Sequence, residues 1–127
     1  MPPLERLVVL VEDDLGMREA LTKVLNASGF RALPFSSAEA LLEVSDTADA
    51  ACFVLDIRLP GLSGFELFRR LKAAGSTAPA IFITAQDDDA GRDLAKRLGA
   101  ASYLAKPFSG RALLQAIDAA LALPVVP

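Results

Sequence analysis

The run Ala51-Cys52-Phe53-Val54-Leu55-Asp56 is apolar on both alternating faces, too short for an ordinary helix, and stops abruptly at a carboxylate. Arg58-Leu59-Pro60-Gly61 follows at once, and a Pro-Gly step so close behind an aspartate forces the backbone to turn. The run reads as a strand buried on both faces that carries Asp56 to its C-terminal tip. Two-sided burial is the mark of a parallel sheet covered by helices, and in such sheets ligands gather at the C-terminal strand tips.

The remaining chain repeats this unit. Leu7 to Val11 is a second two-sided run, ending in Glu12-Asp13-Asp14, with Asp14 placed to cap a helix bearing Met17, Ala20, Leu21, Val24 and Leu25 and closed by Gly29. Phe30 to Phe35 reads as a strand, and Pro34 suits it to a sheet edge. Ser36 and Glu39 read as a capping box before a short helix with Ala38, Leu41 and Leu42; Ser63 and Glu66 make a second, before Leu67, Phe68 and Leu71. Ala80 to Thr84 is a strand ending in a hydroxyl. After Gln86, the acids Asp87-Asp88-Asp89 open a helix lined by Ala90, Leu94 and Leu98. Ala101 to Leu104 is the last strand, running into Lys106-Pro107-Phe108, and Ser109 caps a final helix with Leu113, Leu114, Ile117 and Leu121. On helix four, Asp93 and Arg97 stand at the spacing of one weak surface pair, as do the like-charged Arg92 and Lys96 of a solvated face. Five strand-helix repeats with short connections give an α/β fold, one parallel sheet with helices on both faces.

The 127 residues fit one domain, over residues 1–122, with 123–127 as a tail or the start of a linker. A cytoplasmic protein is expected: no apolar run approaches the roughly 20 residues of a membrane helix, and the N-terminus has no signal-peptide pattern. Lys and Arg are scattered and the net charge is -3, so this domain alone is not expected to bind nucleic acid. Cys52 is the single cysteine, which excludes an internal disulfide. Histidine is absent, so a bound metal must sit on oxygen, which points to a hard ion such as Mg2+.

With that topology, strand one brings Glu12 and Asp13 to the sheet edge where strand three brings Asp56, strand four Thr84 and strand five Lys106. Each is ordinary alone: acids cap helices, aspartates sit in turns, and a Lys-Pro step ends an element. Together they form a chemical set. Crowded carboxylates repel unless a cation joins them, and a carboxylate can attack phosphorus. Phosphoryl transfer needs charge neutralisation on the equatorial oxygens, which a metal, an ammonium and a hydroxyl supply.

At this point the sequence resembles the receiver domain of two-component response regulators, over essentially its whole length. The resemblance rests on Val11-Glu12-Asp13-Asp14, Leu55-Asp56-Ile57-Arg58-Leu59-Pro60-Gly61-Leu62-Ser63-Gly64, Ile83-Thr84-Ala85 and Tyr103-Leu104-Ala105-Lys106-Pro107-Phe108. The Asp56 loop is most similar to the nitrogen-fixation and nitrate-response regulator group, whose outputs are often DNA-binding. The resemblance implies strand order 2-1-3-4-5 and Asp56 as phosphoacceptor. Mg2+ is implied on Asp13, Asp56, the Arg58 carbonyl and Glu12, the last partly through water. Lys106 would contact the phosphoryl group across a cis Lys106-Pro107 bond, and Thr84 and Tyr103 would act as switch residues for a surface made by helix four, strand five and helix five. A sensor histidine kinase or phosphotransfer protein is the implied partner, with an output domain possible beyond Pro127.

Three departures from the family pattern stand out. Glu12 replaces the commoner aspartate, Arg58 and Gln86 occupy positions that tune phosphoryl lifetime, and Ala100-Ala101-Ser102 lacks the paired acids some receivers use to dimerise. A monomer or a weak phosphorylation-dependent dimer is expected. A phosphorylation-independent interaction module of the same fold is the competing reading, and the intact acceptor set argues against it. A haloacid dehalogenase type phosphatase would need Asp-x-Asp after strand one, and a flavodoxin-like carrier a glycine- and hydroxyl-rich loop there. Glu12-Asp13-Asp14-Leu15 is neither.

Overall fold

A computed structural model of the chain describes residues 6–44, 47 and 49–122. The tail expected at 123–127, like the first five residues, lies outside them. Five strands, β1 (Leu7–Val11), β2 (Arg31–Phe35), β3 (Ala50–Asp56), β4 (Ala80–Thr84) and β5 (Ser102–Ala105), form one parallel sheet in the order β2-β1-β3-β4-β5. Each is followed by a helix: α1 (Leu15–Ala27), α2 (Ala38–Leu42), α3 (Gly64–Ala73), α4 (Asp89–Arg97) and α5 (Gly110–Ala122). Strand β2 is an edge, as Pro34 suggested.

Alternation along the strands builds two cores, because successive side chains point to opposite faces. Val9, Val11, Phe53, Leu55 and Phe82 face α2, α3 and α4, where Leu41, Leu67, Phe68, Leu71 and Ala95 meet them. Val8, Leu10, Cys52, Val54, Ile81 and Ile83 face α1 and α5, against Leu21, Leu25, Leu113 and Ile117. Phe82 takes edge-to-face contacts from both Phe65 and Phe68, at ring centroid distances of 4.8 and 5.6 Å. The central strands are thereby clamped from both sides, and their tips inherit that rigidity.

The helix starts follow local chemistry. Asp14 accepts from the Met17 N–H at 2.8 Å, Ser63 from Glu66 at 3.2 Å and Ser109 from Ala112 at 3.0 Å. The glycines after α1, α3 and α4 all have positive φ, as helix-ending residues do.

Several expectations need correction. Ser37, not Ser36, caps α2, accepting from the Ala40 N–H at 3.0 Å. Two adjacent serines offer the same chemistry, and only backbone position decides between them. Glu39 closes no capping box. Its carboxylate instead reaches across the fold to the Leu62 N–H at 3.0 Å, a donor left over by the tight turn after Asp56. On α4, Leu94 and Leu98 lie on the inward face as expected, but Ala90 is exposed and Gly91 and Ala95 complete that face. Arg92 forks onto Asp87 in the preceding loop, at 2.7 Å for both bonds, and among the described residues no ion pair joins Asp93 to Arg97. A short reach back to an aspartate just outside the helix gives the guanidinium two parallel bonds, which a pairing along the helix face cannot. The strand limits of β2, β3 and β5 each differ from expectation by one residue.

Candidate functional site

The strand register delivers the site. Pairing of Val11 with Leu55 and of Asp56 with Ile83 puts the ends of β1, β3 and β4 level, so Glu12 and Asp56 emerge side by side. Pairing of Thr84 with Ala105 sets Lys106 one step beyond.

Glu12 has no exposed surface, and Asp56 is 4% exposed. Burying two carboxylates together is costly unless something neutralises them. Lys106 does so. Its Nζ donates to Glu12 Oε1 at 2.5 Å and to Asp56 Oδ2 at 3.0 Å. Burial works to lower the Lys106 pKa, but the bonds to Glu12 and Asp56 outweigh it and the ammonium is held above its ordinary value. Burial pushes the Glu12 carboxyl up to about 7, with the neighbouring Asp56 adding to the rise and Lys106 opposing it.

The backbone fixes the remaining geometry. Asp56 Oδ1 accepts from the Arg58 N–H at 3.0 Å, and Glu12 Oε2 from the Asp14 N–H at 3.3 Å. Arg18, one turn into α1, donates through Nη1 to the carbonyls of Glu12 at 2.9 Å and Asp13 at 3.4 Å, pinning the loop that carries both acids. The Lys106 N–H donates to the Thr84 carbonyl at 2.7 Å, and the Lys106-Pro107 bond is cis. Gly64 packs so closely under the site that a Cβ there would lie 2.3 Å from the Asp56 carbonyl oxygen.

Glu12, Asp13 and Asp56 offer carboxylate oxygens that lie within 4.8 Å of one another. Three oxygen donors, one of them on the exposed Asp13, suit a hard divalent cation that keeps water ligands, and Mg2+ fits that description. The Arg58 side chain turns away toward Asp88, at 3.9 Å. Thr84 is fully buried; its hydroxyl accepts from the Gln86 N–H at 3.1 Å and donates to the Gln86 carbonyl at 3.2 Å. Tyr103 stands apart from the acids, with the Arg92 guanidinium 4.9 Å from its ring centroid.

The structure thus brings together Glu12, Asp13, Asp56 and Lys106, and sets Thr84 on the adjoining strand. Arg18, Glu39 and Gly64 were not identified as contributors by residue pattern. Arg18 lies where any exposed helix residue could, and the other two act through contacts that only tertiary structure creates.

Residues 8–118 match the response regulator receiver domain family. The transcriptional regulatory protein FixJ of Azorhizobium caulinodans is 38% identical over 114 residues, 90% of this chain and 54% of that protein. Nodulation protein W of Bradyrhizobium diazoefficiens is 39% identical over 90% of this chain and 50% of its own length. This chain therefore spans about half the length of these relatives. The non-phosphorylated HemR receiver domain from Leptospira biflexa superposes with a TM-score of 0.87 at 28% identity, covering 94% of this chain and 97% of that one. Among the described residues no helix is long and apolar enough to cross a membrane. A five-stranded sheet in this order, the acids and lysine gathered at its edge, and a family match over nearly all of the sequence lead to one assignment: the chain belongs to the receiver domains of two-component response regulators.

Proposed function

We propose that this receiver accepts a phosphoryl group on Asp56 from a sensor histidine kinase or phosphotransfer protein in the cytoplasm, with Mg2+ as cofactor, and that the resulting charge switches the α4-β5-α5 surface. The observation that carries the reading is the Lys106 ammonium lodged between Glu12 and Asp56, beside the Asp13 carboxylate. An Asp56 carboxylate oxygen attacks phosphorus; the new P–O bond forms as the donor's bond to phosphorus breaks, and the donor leaves with the electron pair. Glu12, Asp13, Asp56 and the Arg58 carbonyl would hold Mg2+, which when bound supplies neutralising charge for the phosphoryl oxygens.

Lys106 is the protein's own contribution to that neutralisation. Already 3.0 Å from Asp56 Oδ2, it needs only to exchange a carboxylate for a phosphoryl oxygen. The Arg58 N–H holds the other Asp56 oxygen and orients the carboxylate. The Thr84 hydroxyl, now held by the Gln86 backbone, exchanges those bonds for the phosphoryl group, and Tyr103 follows. Switching then rests on a local change of charge biasing a two-state surface. The unit, residues 1–122, acts as a switch of signalling rather than an enzyme and controls a transcriptional output. It works as a monomer or a weak phosphorylation-dependent dimer.

The test is incubation with acetyl phosphate and Mg2+ followed by intact-mass spectrometry. Wild type gains the mass of one phosphoryl group; Asp56→Asn and wild type in EDTA do not. An equal gain in wild type and Asp56→Asn contradicts the assignment.

A further inference from the structure

We propose that Asp87 and Arg92 form an ion-pair latch that holds Tyr103 against α4, so that the movement of Tyr103 linked to phosphorylation is set in this chain by an exposed, salt-sensitive contact. The inference deepens the switching reading above and rests on it for the phosphorylation step alone. Arg92 Nε and Nη2 each donate to a different Asp87 oxygen at 2.7 Å, which fixes the guanidinium plane. That guanidinium lies over the Tyr103 ring, 4.9 Å from the centroid, in cation–π range.

The rest of the tyrosine's surroundings leave it incompletely fixed. Its hydroxyl is buried, with the Asp87 carboxylate and the Asp88 backbone close by, and neither aligned as a full hydrogen bond to it. Both Asp87 oxygens are committed to Arg92, and one Asp88 oxygen caps α4 through the Gly91 N–H at 2.7 Å. A buried hydroxyl without a partner is uncommon and marks a side chain whose position something else enforces. The ring packs on the core at one side, but a cavity of about 250 Å3, bounded by Arg58, Gln86 and Leu94, leaves another side open. Arg92 covers the ring from the solvent side. Asp87 also follows directly on Gln86, whose backbone holds the Thr84 hydroxyl, so a change at Thr84 reaches the latch through one residue. The Asp87 and Arg92 side chains are 38% and 53% exposed, so salt screens the pair. Asp87 and Arg92 are positioning residues: they touch neither Asp56 nor the acid cluster.

The chain has one tyrosine and no tryptophan, so intrinsic fluorescence reports on Tyr103 alone. In the full chain without its phosphodonor, acrylamide quenching is expected to rise about two- to fivefold in Arg92→Ala and Asp87→Asn, with Arg92→Lys between them and wild type. About 1 M sodium chloride should move wild type in the same direction and leave the two variants unchanged. Adding Mg2+ with beryllofluoride, a mimic of an acyl phosphate, should change the quenching of wild type more than that of either variant. Mass spectrometry after acetyl phosphate treatment should show equal phosphoryl uptake in all of them. Quenching equal to wild type in both variants, an unchanged response to beryllofluoride, or loss of phosphoryl uptake in the variants would each overturn the latch. If wild type itself takes up no phosphoryl group, the acceptor assignment falls, while the quenching and salt results still decide the latch. Asp87→Asn is isosteric and reads the same contact should Arg92→Ala fail to fold.

Discussion

Replacing Gly64 by alanine tests how the acceptor strand is seated. An added Cβ would stand 2.3 Å from the Asp56 carbonyl oxygen, 3.0 Å from the Asp56 carbonyl carbon and 3.1 Å from Ile57 Cα. Carbon and oxygen approach to about 3.3 Å at closest, so α3 and the end of β3 must part by about 1 Å. The obstacle is backbone on both sides, and no rotamer relieves it. Overpacking of this kind costs about 1–3 kcal/mol. Parting the two segments also breaks the bond from the Gly64 N–H to the Ile57 carbonyl, 3.0 Å, which contributes about 1 kcal/mol more. The expected loss is about 2–4 kcal/mol, read from urea unfolding by circular dichroism, and phosphoryl uptake at Asp56 should fall with it. Gly16→Ala is the matched control, because its Cβ meets only Asp14 Oδ2 at 3.5 Å, an ordinary contact in the first turn of α1. That variant should be unchanged or up to about 1 kcal/mol more stable. A Gly64→Ala protein within about 0.5 kcal/mol of wild type would refute the close-approach argument.

Other perturbations follow from the same geometry. Because Glu12 is raised from 4.5 to about 7, the folded chain keeps a proton that the unfolded chain releases across that interval. Stability in EDTA should therefore fall as pH rises from 4.5 to 7, by up to about 3 kcal/mol from this group, and Glu12→Gln should remove that part of the slope. The same proton competes with a cation, so Mg2+ affinity measured by calorimetry should drop below pH 7; affinity flat from pH 5.5 to 8 would count against Glu12 as a ligand. Burial pushes the Cys52 thiol up to about 12, so a thiol reagent should label it only as the chain unfolds, at rates that track urea concentration. Rapid labelling of the native protein would mean that β3 is not enclosed.

The parts of the fold written in local pattern were legible. Two-sided apolar runs located β1, β3 and β4, since a strand covered on both faces leaves no other composition at 8–11, 52–55 and 80–83. The gathering of the candidate site was legible because topology alone carries Asp13, Asp56 and Lys106 to one edge. What pattern could not show was which atom each polar side chain would choose. Glu39 sits three residues from Ser36 and could have closed a capping box, yet a free N–H at Leu62, 23 residues away, claims its carboxylate. Arg92 had neighbours at helical spacing, but Asp87 outside the helix offered both oxygens at once. Arg18 gave no signal at all, because its two acceptors are main-chain carbonyls.

The central claim is that Asp56, and no other carboxylate in the cluster, forms the acyl phosphate. Borohydride reduction of the phosphorylated chain converts the modified aspartate to homoserine, which tandem mass spectrometry then locates. Homoserine at position 56 alone, and only when Mg2+ is present, is the predicted result. Homoserine at Asp13, or at position 56 regardless of Mg2+, would contradict the account.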